Sequence, residues 1–465
     1  MQTRSRYVLA LVALLLGLFG LMTQMSFAQS PSSDHKSQLT AVLFENVRVF
    51  DGVSANLTAP SNVLVVGNTI RAIGTRSLLV PVDIGVTRIG GEGRVLMPGL
   101  IDAHTHLFME TSTEDDLVAA TAAPERLLQQ AQENATAMLM RGFTSARDMA
   151  GPVFFLKQAI DRGAVVGPRI WPSGAMISQT SGHGDFRELS DLPRTPTSEL
   201  SLAEQFGVGA IADGVDEVLR RVREQLMQGA SQIKLAAGGG VASDFDPIDV
   251  AQYTEAELRA AVEAAEDWNT YVAVHAYTPR AIQKAIRAGV KSIEHGQLID
   301  EETARMIAEN DVWLSMQPFL DDEDRNPYPE GSANRANQLI VSEGTDNAYT
   351  LAKRYNIKTA WGTDNLYSPA GAARQGAKLA KLVRWYSPAE VLRMATSTNA
   401  SLLALSGPRN PYPGKLGVVE EGALADLLLV NGNPLENIRL IENPETNFLV
   451  IMKDGVIYKN RLSDS

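Results

Sequence analysis

The chain has no cysteine and only six histidines among its 465 residues. The lack of cysteine excludes disulfide bonds, thiolate metal ligands and a cysteine nucleophile, so any metal must be held by imidazole, carboxylate or amine groups. Positive charge is also scarce, since 42 Lys and Arg face 54 Asp and Glu and leave a formal charge of −12. This balance opposes binding to nucleic acid or to anionic lipid, and a small molecule is the expected partner. The sequence leaves open whether the chain forms a homo-oligomer.

The first 28 residues are typical of a secretory signal peptide. Two arginines within the first six residues precede an apolar run over residues 7–22, and small residues precede the expected cleavage point after Ala28. We expect export to the periplasm or the exterior and no stable membrane span after cleavage. An uncleaved membrane anchor is the alternative. Residues 29–39, which include His35, predict a polar linker.

The pattern of apolar residues changes twice along the mature chain. Residues 40–97 and 411–465 contain short β-rich runs separated by turn residues, without a helical period. Residues 98–410 alternate short apolar runs with amphipathic helices, which is the order of parallel strands joined by helical crossovers. This predicts an α/β fold, a (β/α)8 TIM barrel with a small β-sandwich composed from both chain ends, rather than an open doubly wound sheet. The eight barrel strands are expected near 100–105, 143–148, 169–175, 232–236, 271–275, 291–295, 312–317 and 358–363.

Three connections are much longer than a barrel requires, namely 178–214, 236–253 and 317–338. Each follows a predicted strand, so all three should lie on the C-terminal face of the barrel, where such folds bind substrates.

Four histidines and one aspartate lie at the ends of predicted strands. His104 and His106 are two residues apart on one strand, so both imidazoles point to the same side and can bind one cation. His275, His295 and Asp364 end three further strands. Each residue by itself could be a hydrogen-bonded structural histidine or a helix cap. Five of them on one face of a barrel predict a metal site.

Lys234 lies within an apolar strand, the fourth of the eight. By itself such a lysine is expected to reach solvent or to pair with a carboxylate. Here it faces the same side as the histidines. Burial would lower the pKa of its amine, and the neutral amine could react with carbon dioxide to form a carbamate that bridges two cations.

The segment Met97–His106, together with Lys234, His275, His295 and Asp364, resembles the binuclear metal-dependent amidohydrolase superfamily, and most closely its prolidase-like, imidazolonepropionase-related branch. The resemblance covers nearly the whole mature chain. It implies two divalent metal ions, with zinc as the first expectation, although imidazole and carboxylate ligands accept several metals. Imidazolonepropionases resemble this pattern but use one metal and lack the lysine, so Lys234 argues against that activity.

The resemblance also implies how the ligands are divided. The more buried cation would be held by His104, His106 and Asp364, and the more exposed one by His275 and His295. Carbamylated Lys234 and a hydroxide would bridge the two.

The resulting hypothesis is a hydrolase that cleaves an amide or peptide bond and releases an amino acid with a free carboxylate. Dipeptides, Xaa-Pro dipeptides and N-acyl or N-aroyl amino acids fit this description, and the resemblance extends it to ochratoxin-like amides. Asp364 would pass a proton to the leaving amine. The alternatives are a lactone, cyclic-amide or phosphoester hydrolase that uses the same site, and a secreted metal-binding protein without turnover.

Four further residues are candidate substrate contacts. His183, flanked by glycines in the first long connection, and Tyr277, two residues beyond His275, could bind the substrate carbonyl or carboxylate and assist catalysis. Arg147 and Arg187 are candidate clamps for an anion. For His183 and Tyr277 the alternatives are loop ordering and simple packing.

Overall fold

The computed structural model describes residues 40–81, 84–112, 124–195 and 197–462. The expected signal peptide (1–28) and the expected linker (29–39) therefore lie outside the described residues. None of the helices in these ranges has the length and apolar character needed to cross a bilayer.

The described strands fall into three sheets, one at the chain ends and two in the middle. In chain order they are β1 (Ala41–Val49), β2 (Ser61–Val66), β3 (Thr69–Gly74), β4 (Val86–Gly90), β5 (Val95–Pro98), β6 (Leu100–Thr105), β7 (Phe143–Asp148), β8 (Arg169–Pro172), β9 (Met176–Ser178), β10 (Gly209–Ile211), β11 (Ile233–Ala236), β12 (Val272–Ala276), β13 (Ser292–His295), β14 (Trp313–Met316), β15 (Thr359–Trp361), β16 (Leu427–Val430), β17 (Phe448–Lys453) and β18 (Val456–Asn460).

The described α-helices connect the middle strands or follow them. They span Pro124–Met140, Phe154–Asp161, Leu202–Phe206, Val215–Gln228, Glu255–Glu266, Pro279–Ala288, Glu301–Glu309, Ala333–Arg354, Pro369–Ala373, Gln375–Ala380, Pro388–Arg393, Asn399–Leu403 and Pro444–Asn447. Their ends follow local chemistry. The helix Pro279–Ala288, for example, has proline in its first turn and ends at Gly289, whose φ of +100° is the left-handed conformation that glycine adopts readily.

Strands from both chain ends form the small β-sandwich. Its sheet has the order β18-β17-β16-β5-β1-β2-β3, and β4 pairs with β1. The halves meet where β5 pairs antiparallel with β16 and parallel with β1. Side chains alternate along β16, so that Leu427 and Leu429 pack into the sandwich core, while Leu428 and Val430 pack into the barrel core. The sandwich and the barrel thus share this strand.

The middle of the chain is a TIM barrel, as predicted. The parallel strands β6, β7 and β8 form one arc, and β9 with β11 to β15 form most of the other. The arcs meet where Ser231 N donates to Pro172 O (2.8 Å), at the end of β8, and where Asp364 N donates to His104 O (2.9 Å), on β6. All eight predicted barrel strands are therefore present.

The third strand differs from its predicted span of 169–175. It ends at Pro172, and the chain resumes as β9 after Gly174, whose φ is +75°. The short β10 then pairs with β9 inside the first long connection, where no strand was predicted. The break occurs because a left-handed residue cannot continue an extended strand.

Asn399 fastens the first barrel strand to the last. Its Nδ2 donates to Ile101 O on β6 and to Trp361 O on β15, both at 2.8 Å, and its Oδ1 accepts from Trp361 N (3.1 Å). The side chain is fully buried and follows a five-residue π-helical turn, Met394–Thr398. One amide thus closes the barrel beneath the strand ends that carry the site.

Candidate metal centre

Three side chains at the ends of the first and last barrel strands form a compact group. His106 Nε2 lies 3.0 Å from Asp364 Oδ1, and His104 Nε2 lies 3.5 Å from the same oxygen. One ligand atom from each residue lies within 4.8 Å of the other two. This is a spacing at which the three residues could share one cation.

Three further candidates approach this group from the fourth, fifth and sixth strands. Lys234 Nζ lies 3.4 Å from His104 Nε2, and His295 Nδ1 lies 3.7 Å from Asp364 Oδ2. The rings of His275 and His295 have centroids 4.6 Å apart. The structure therefore brings together all six residues that the sequence suggested as metal ligands.

The backbone at the site takes conformations that few residues adopt. His295 has a φ of +81° and Asp364 a φ of +48°, both in the left-handed region. Gly362 lies against His104, and a Cβ at this position would come within 2.4 Å of His104 N. Such backbone strain is typical of sites where side-chain placement takes precedence over local stability.

Buried acceptors set the tautomers of three of the histidines. His104 donates Nδ1–H to Glu294 Oε2 (2.8 Å), His275 donates Nε2–H to Gly239 O (3.1 Å), and His295 donates Nδ1–H to Gln317 Oε1 (2.7 Å). In each ring the other nitrogen keeps its lone pair. This is how protein metal sites orient their histidine ligands.

The protonation states also suit a divalent cation. Burial lowers the pKa of His295 to about 4 and holds the pKa values of His104 and His275 well below their usual range, so these imidazoles are neutral at pH 7. Burial opposes ionisation of Asp364, but the surrounding histidines lower its pKa below the usual value. Neutral imidazoles and an ionised carboxylate form a donor set that fits a divalent cation.

Arg147 does not lie where the sequence suggested. It is fully buried and absent from the cavity lining, and its Nη2 donates to both oxygens of Glu294 (2.8 and 2.7 Å) while its Nε donates to Ala103 O (2.6 Å). Although burial opposes ionisation, Arg147 lowers the pKa of Glu294 well below its usual range. The expectation of a substrate clamp is corrected, because Arg147 holds the carboxylate that orients His104.

Two nitrogens of the Arg187 guanidinium group likewise donate to other protein groups. Its Nε and Nη2 donate to Asp185 (both 2.7 Å), Nη2 also donates to Thr180 Oγ1 (2.9 Å), and the side chain is not part of the cavity lining. Arg187 braces the loop that carries His183. Its Nη1 has no hydrogen-bond partner among the described residues, so direct binding of substrate by Arg187 stays a prediction.

His183 and Tyr277 both line the cavity. The imidazole of His183 stacks on that of His275, with centroids 3.8 Å apart and planes 12° apart. Tyr277 packs edge-on to His275 at 5.0 Å. Burial raises the pKa of Tyr277 well above its usual value, so the phenol keeps its proton and can act as a donor.

Sequence reasoning missed the residues that hold His183. Its Nδ1–H is donated to Asp246 Oδ2 (2.9 Å), and Ser243 Oγ lies 2.8 Å from the same nitrogen. Gly240 lies so close that a Cβ there would be 2.0 Å from His183 Nδ1. All three belong to the long connection 236–253, whose length was a signal that it had a role.

The cavity over these residues has an open volume of about 1160 Å³, including its mouth. All three long connections contribute to it, as their place after barrel strands predicts. One part of the wall is apolar and aromatic, and another part is charged. The apolar part includes Met176, Phe186, Val208, Phe319 and Tyr367, and the charged part includes Asp322, Asp324, Arg325 and Lys378.

Comparison with known proteins agrees with this geometry. The model of the amidohydrolase family matches residues 95–459. An ochratoxinase of Aspergillus niger is 32% identical over 381 residues, which cover 78% of this chain and 76% of the relative. A crystal structure of a prolidase complexed with N-methylphosphonate-L-proline has a TM-score of 0.81 and 33% identity, and the match covers 90% of this chain and 100% of that one. A Xaa-Pro dipeptidase with bound methionine has a TM-score of 0.74 and 28% identity over 90% and 100% of the two chains.

The family match spans most of the chain, including every barrel strand that carries a candidate ligand. The relatives of highest similarity reported above are an ochratoxinase and prolidases. The chain therefore belongs to the amidohydrolase family, within its prolidase-like branch, and is a hydrolytic enzyme.

Proposed function

We propose that the enzyme uses two divalent cations to cleave an amide or peptide bond whose leaving group is an amino acid with a free carboxylate. The observation that carries the proposal is the buried Lys234 amine, 3.4 Å from a histidine nitrogen whose tautomer is set for metal binding. A lysine in this position is hard to explain unless its amine is modified to a ligand. The ochratoxinase and prolidase relatives support the choice of bond and leaving group.

In this proposal His104, His106 and Asp364 would hold one cation, His275 and His295 would hold the other, and carbamylated Lys234 would be a ligand of both. Burial lowers the pKa of Lys234 to about 8. About a quarter of the amine is then neutral at pH 7.5, compared with roughly one part in a thousand for an ordinary lysine. The neutral nitrogen attacks carbon dioxide, an N–C bond forms, and one proton is released.

When bound, the two cations would lower the pKa of water and act as Lewis acids toward the scissile carbonyl. The chain's own residues supply proton transfer and orientation. Asp364 is ionised, lies at the mouth of the cluster, and can accept a proton and deliver it to the leaving amine. His183 and Tyr277, which line the cavity beside His275, can donate hydrogen bonds to the substrate carbonyl or carboxylate.

Metal removal tests the proposal directly. Dialysis against a chelator should abolish hydrolysis of a panel of Xaa-Pro dipeptides, other dipeptides and N-acyl or N-aroyl amino acids, because the donor set then lacks its Lewis acids. Readdition of zinc or another divalent ion should restore the rate, with elemental analysis giving two ions per chain. The panel includes lactones, cyclic amides and phosphoesters. Turnover of only these, or bound metal without any turnover, would refute the proposed amide hydrolase.

Asp246 provides a second test, of how His183 is held. Replacement of Asp246 by alanine should lower kcat/KM about 10- to 100-fold, because His183 loses the acceptor that orients its ring. Asp246→Asn keeps an acceptor oxygen and should lose less. Asp244→Ala, an exposed aspartate of the same loop, is the matched control. Steady-state kinetics of the three variants measures the effect, and each variant is checked for an unchanged melting temperature. Equal kcat/KM values for Asp246→Ala and Asp244→Ala would contradict the role of Asp246 in orienting His183.

A further inference from the structure

The cavity wall contains a buried cation, Lys378, that the proposed function does not use. It lies on the helix Gln375–Ala380, beyond the last barrel strand, and only 7% of the residue is exposed. The side chain lines the cavity together with Asp364 and Tyr367. A buried ammonium group that faces a substrate cavity calls for an explanation, because removing its charge from water is costly.

The position of the ammonium group is fixed, but its hydrogen-bonding capacity is not filled. Lys378 Nζ donates to Asn365 Oδ1 at 2.7 Å. The amide of Asn365 cannot turn away, since its Nδ2 donates to Glu110 O (2.9 Å) and Ser368 O (3.0 Å). Throughout the described ranges, no other acceptor and no carboxylate oxygen within 4.0 Å is found for Lys378 Nζ. Two of its three N–H donors remain for a ligand.

The carboxylates in its neighbourhood already have partners. Asp324 pairs with Arg374 and Lys381, and Asp322 pairs with Lys381 at 2.6 Å. Glu110 pairs with Arg141 at 2.9 Å, and Asp364 lies 3.0 Å from His106 Nε2. Among the described residues of this part of the wall, Lys378 is thus an ammonium group without a direct ion pair. A buried charge without a partner destabilises the protein unless a ligand supplies the opposite charge.

The position of Lys378 around the barrel indicates which half of the substrate it can reach. In a closed barrel of eight strands the eighth lies opposite the fourth, and the third and fifth flank the fourth. Lys378 follows the eighth strand, whereas His183 follows the third and Tyr277 follows the fifth. A substrate whose scissile amide lies over the metal ligands can thus reach His183 and Tyr277 with one half and Lys378 with the other.

We propose that Lys378 forms a second anion-binding subsite, which binds a carboxylate of the substrate and gives the enzyme a preference for acidic amides. The inference rests on the proposed amide hydrolysis. The carboxylate can belong to the acyl half or to the leaving amino acid, and the position of Lys378 across the barrel favours the acyl half. Dipeptides with an N-terminal glutamate or aspartate carry such a group, and so do amino acids whose nitrogen is acylated by one carboxyl group of a dicarboxylic acid.

Two matched substrate pairs test the subsite and identify the source of the carboxylate. The pair Glu-Leu and Gln-Leu differs in the charge of the acyl half, and the pair Gln-Leu and Gln-Leu amide differs in the charge of the leaving half. Wild-type enzyme should prefer the charged member by about tenfold in kcat/KM, the usual effect of a charge-assisted hydrogen bond. Lys378→Met should lose this preference through a higher KM, and Lys378→Arg should retain it.

Lys358→Met, at an exposed surface lysine, is the control. If Lys378→Met loses the preference for the charged member of either pair, the subsite is supported. The affected pair then shows which half of the substrate carries the bound carboxylate. An unchanged preference in both pairs overturns it.

A binding measurement keeps this result separate from the proposed reaction. Glutarate, added alone, should raise the melting temperature of wild-type protein more than that of Lys378→Met, with Lys378→Arg close to wild type. This requires no turnover. If no amide is hydrolysed but the glutarate effect depends on Lys378, the proposed function fails and the anion subsite stands. Equal stabilisation of wild type and Lys378→Met overturns the subsite.

Discussion

Replacement of Lys234 by alanine is expected to reduce kcat/KM for amide hydrolysis roughly a thousandfold and to remove at least one of two metal ions per chain. The size of the effect corresponds to the several kcal/mol that a Lewis acid contributes to the transition state. The methyl side chain of alanine can neither be carbamylated nor bridge two cations. Elemental analysis and steady-state kinetics on the same preparation measure both effects. Lys291→Ala, at an exposed lysine just before the sixth barrel strand, is the control.

The dependence of reconstitution on pH separates a carbamate from an unmodified lysine. The pKa of Lys234 is lowered to about 8, so the reactive neutral amine increases as the pH rises through 8. At a fixed concentration of dissolved carbon dioxide, metal uptake by chain previously freed of it should accordingly be faster at pH 9 than at pH 7, and added bicarbonate should accelerate uptake at either pH. Acetate should partly restore metal binding to Lys234→Ala by entering the space that the side chain leaves. A Lys234→Ala variant with both metals and full activity would show that the lysine is not a ligand.

Arg147→Met is expected to destabilise the folded protein by about 3 to 5 kcal/mol, because it leaves the Glu294 carboxylate buried without its cation. Both side chains are fully buried, and Arg147 Nη2 lies 2.7 Å from Glu294 Oε2. The double variant Arg147→Met/Glu294→Gln removes both charges and should recover much of this loss. Thermal and denaturant unfolding measure the effect.

The surface pair of Arg384 and Asp346 is the comparison for this experiment. These side chains are 54% and 52% exposed, so Arg384→Met should change stability by at most about 1 kcal/mol. If Arg147→Met unfolds no more easily than Arg384→Met, the buried pair does not have the structural role assigned to it. Some loss of activity should accompany the loss of stability, because Glu294 orients His104.

The barrel and its cluster of candidate ligands could be predicted from sequence because both depend on local patterns. Apolar runs alternating with amphipathic helices predicted all eight barrel strands. The spacing of His104 and His106 and the strand-end positions of His275 and His295 placed their side chains on one face. The break in the third strand was missed, since a single glycine, Gly174, does not reveal from sequence whether its φ is positive.

The other differences between prediction and structure have two causes. They are the depth of a side chain within the barrel and contacts between residues that are distant in sequence. Alternation along a strand tells which face a side chain lies on, but not which layer of the barrel it occupies, and Arg147 lies below the ligands rather than above them. Asp246 and Lys378 lie far in sequence from the parts of the site that they contact. Asp246 contacts His183 across 63 positions, and Lys378 reaches the cavity from a helix beyond the last strand. Only the folded chain brings these residues to the site.

The sharing of the β-sandwich between the two chain ends has a consequence for synthesis on the ribosome. β5 (Val95–Pro98) pairs with β16 (Leu427–Val430), which emerges about 330 residues later. At about 5 to 20 residues per second, the growing chain waits roughly 16 to 66 seconds for that partner. During this interval Val95, Leu96 and Met97, all buried in the finished protein, lack the strand that covers them. The β-sandwich can therefore close only after nearly the whole chain has been made.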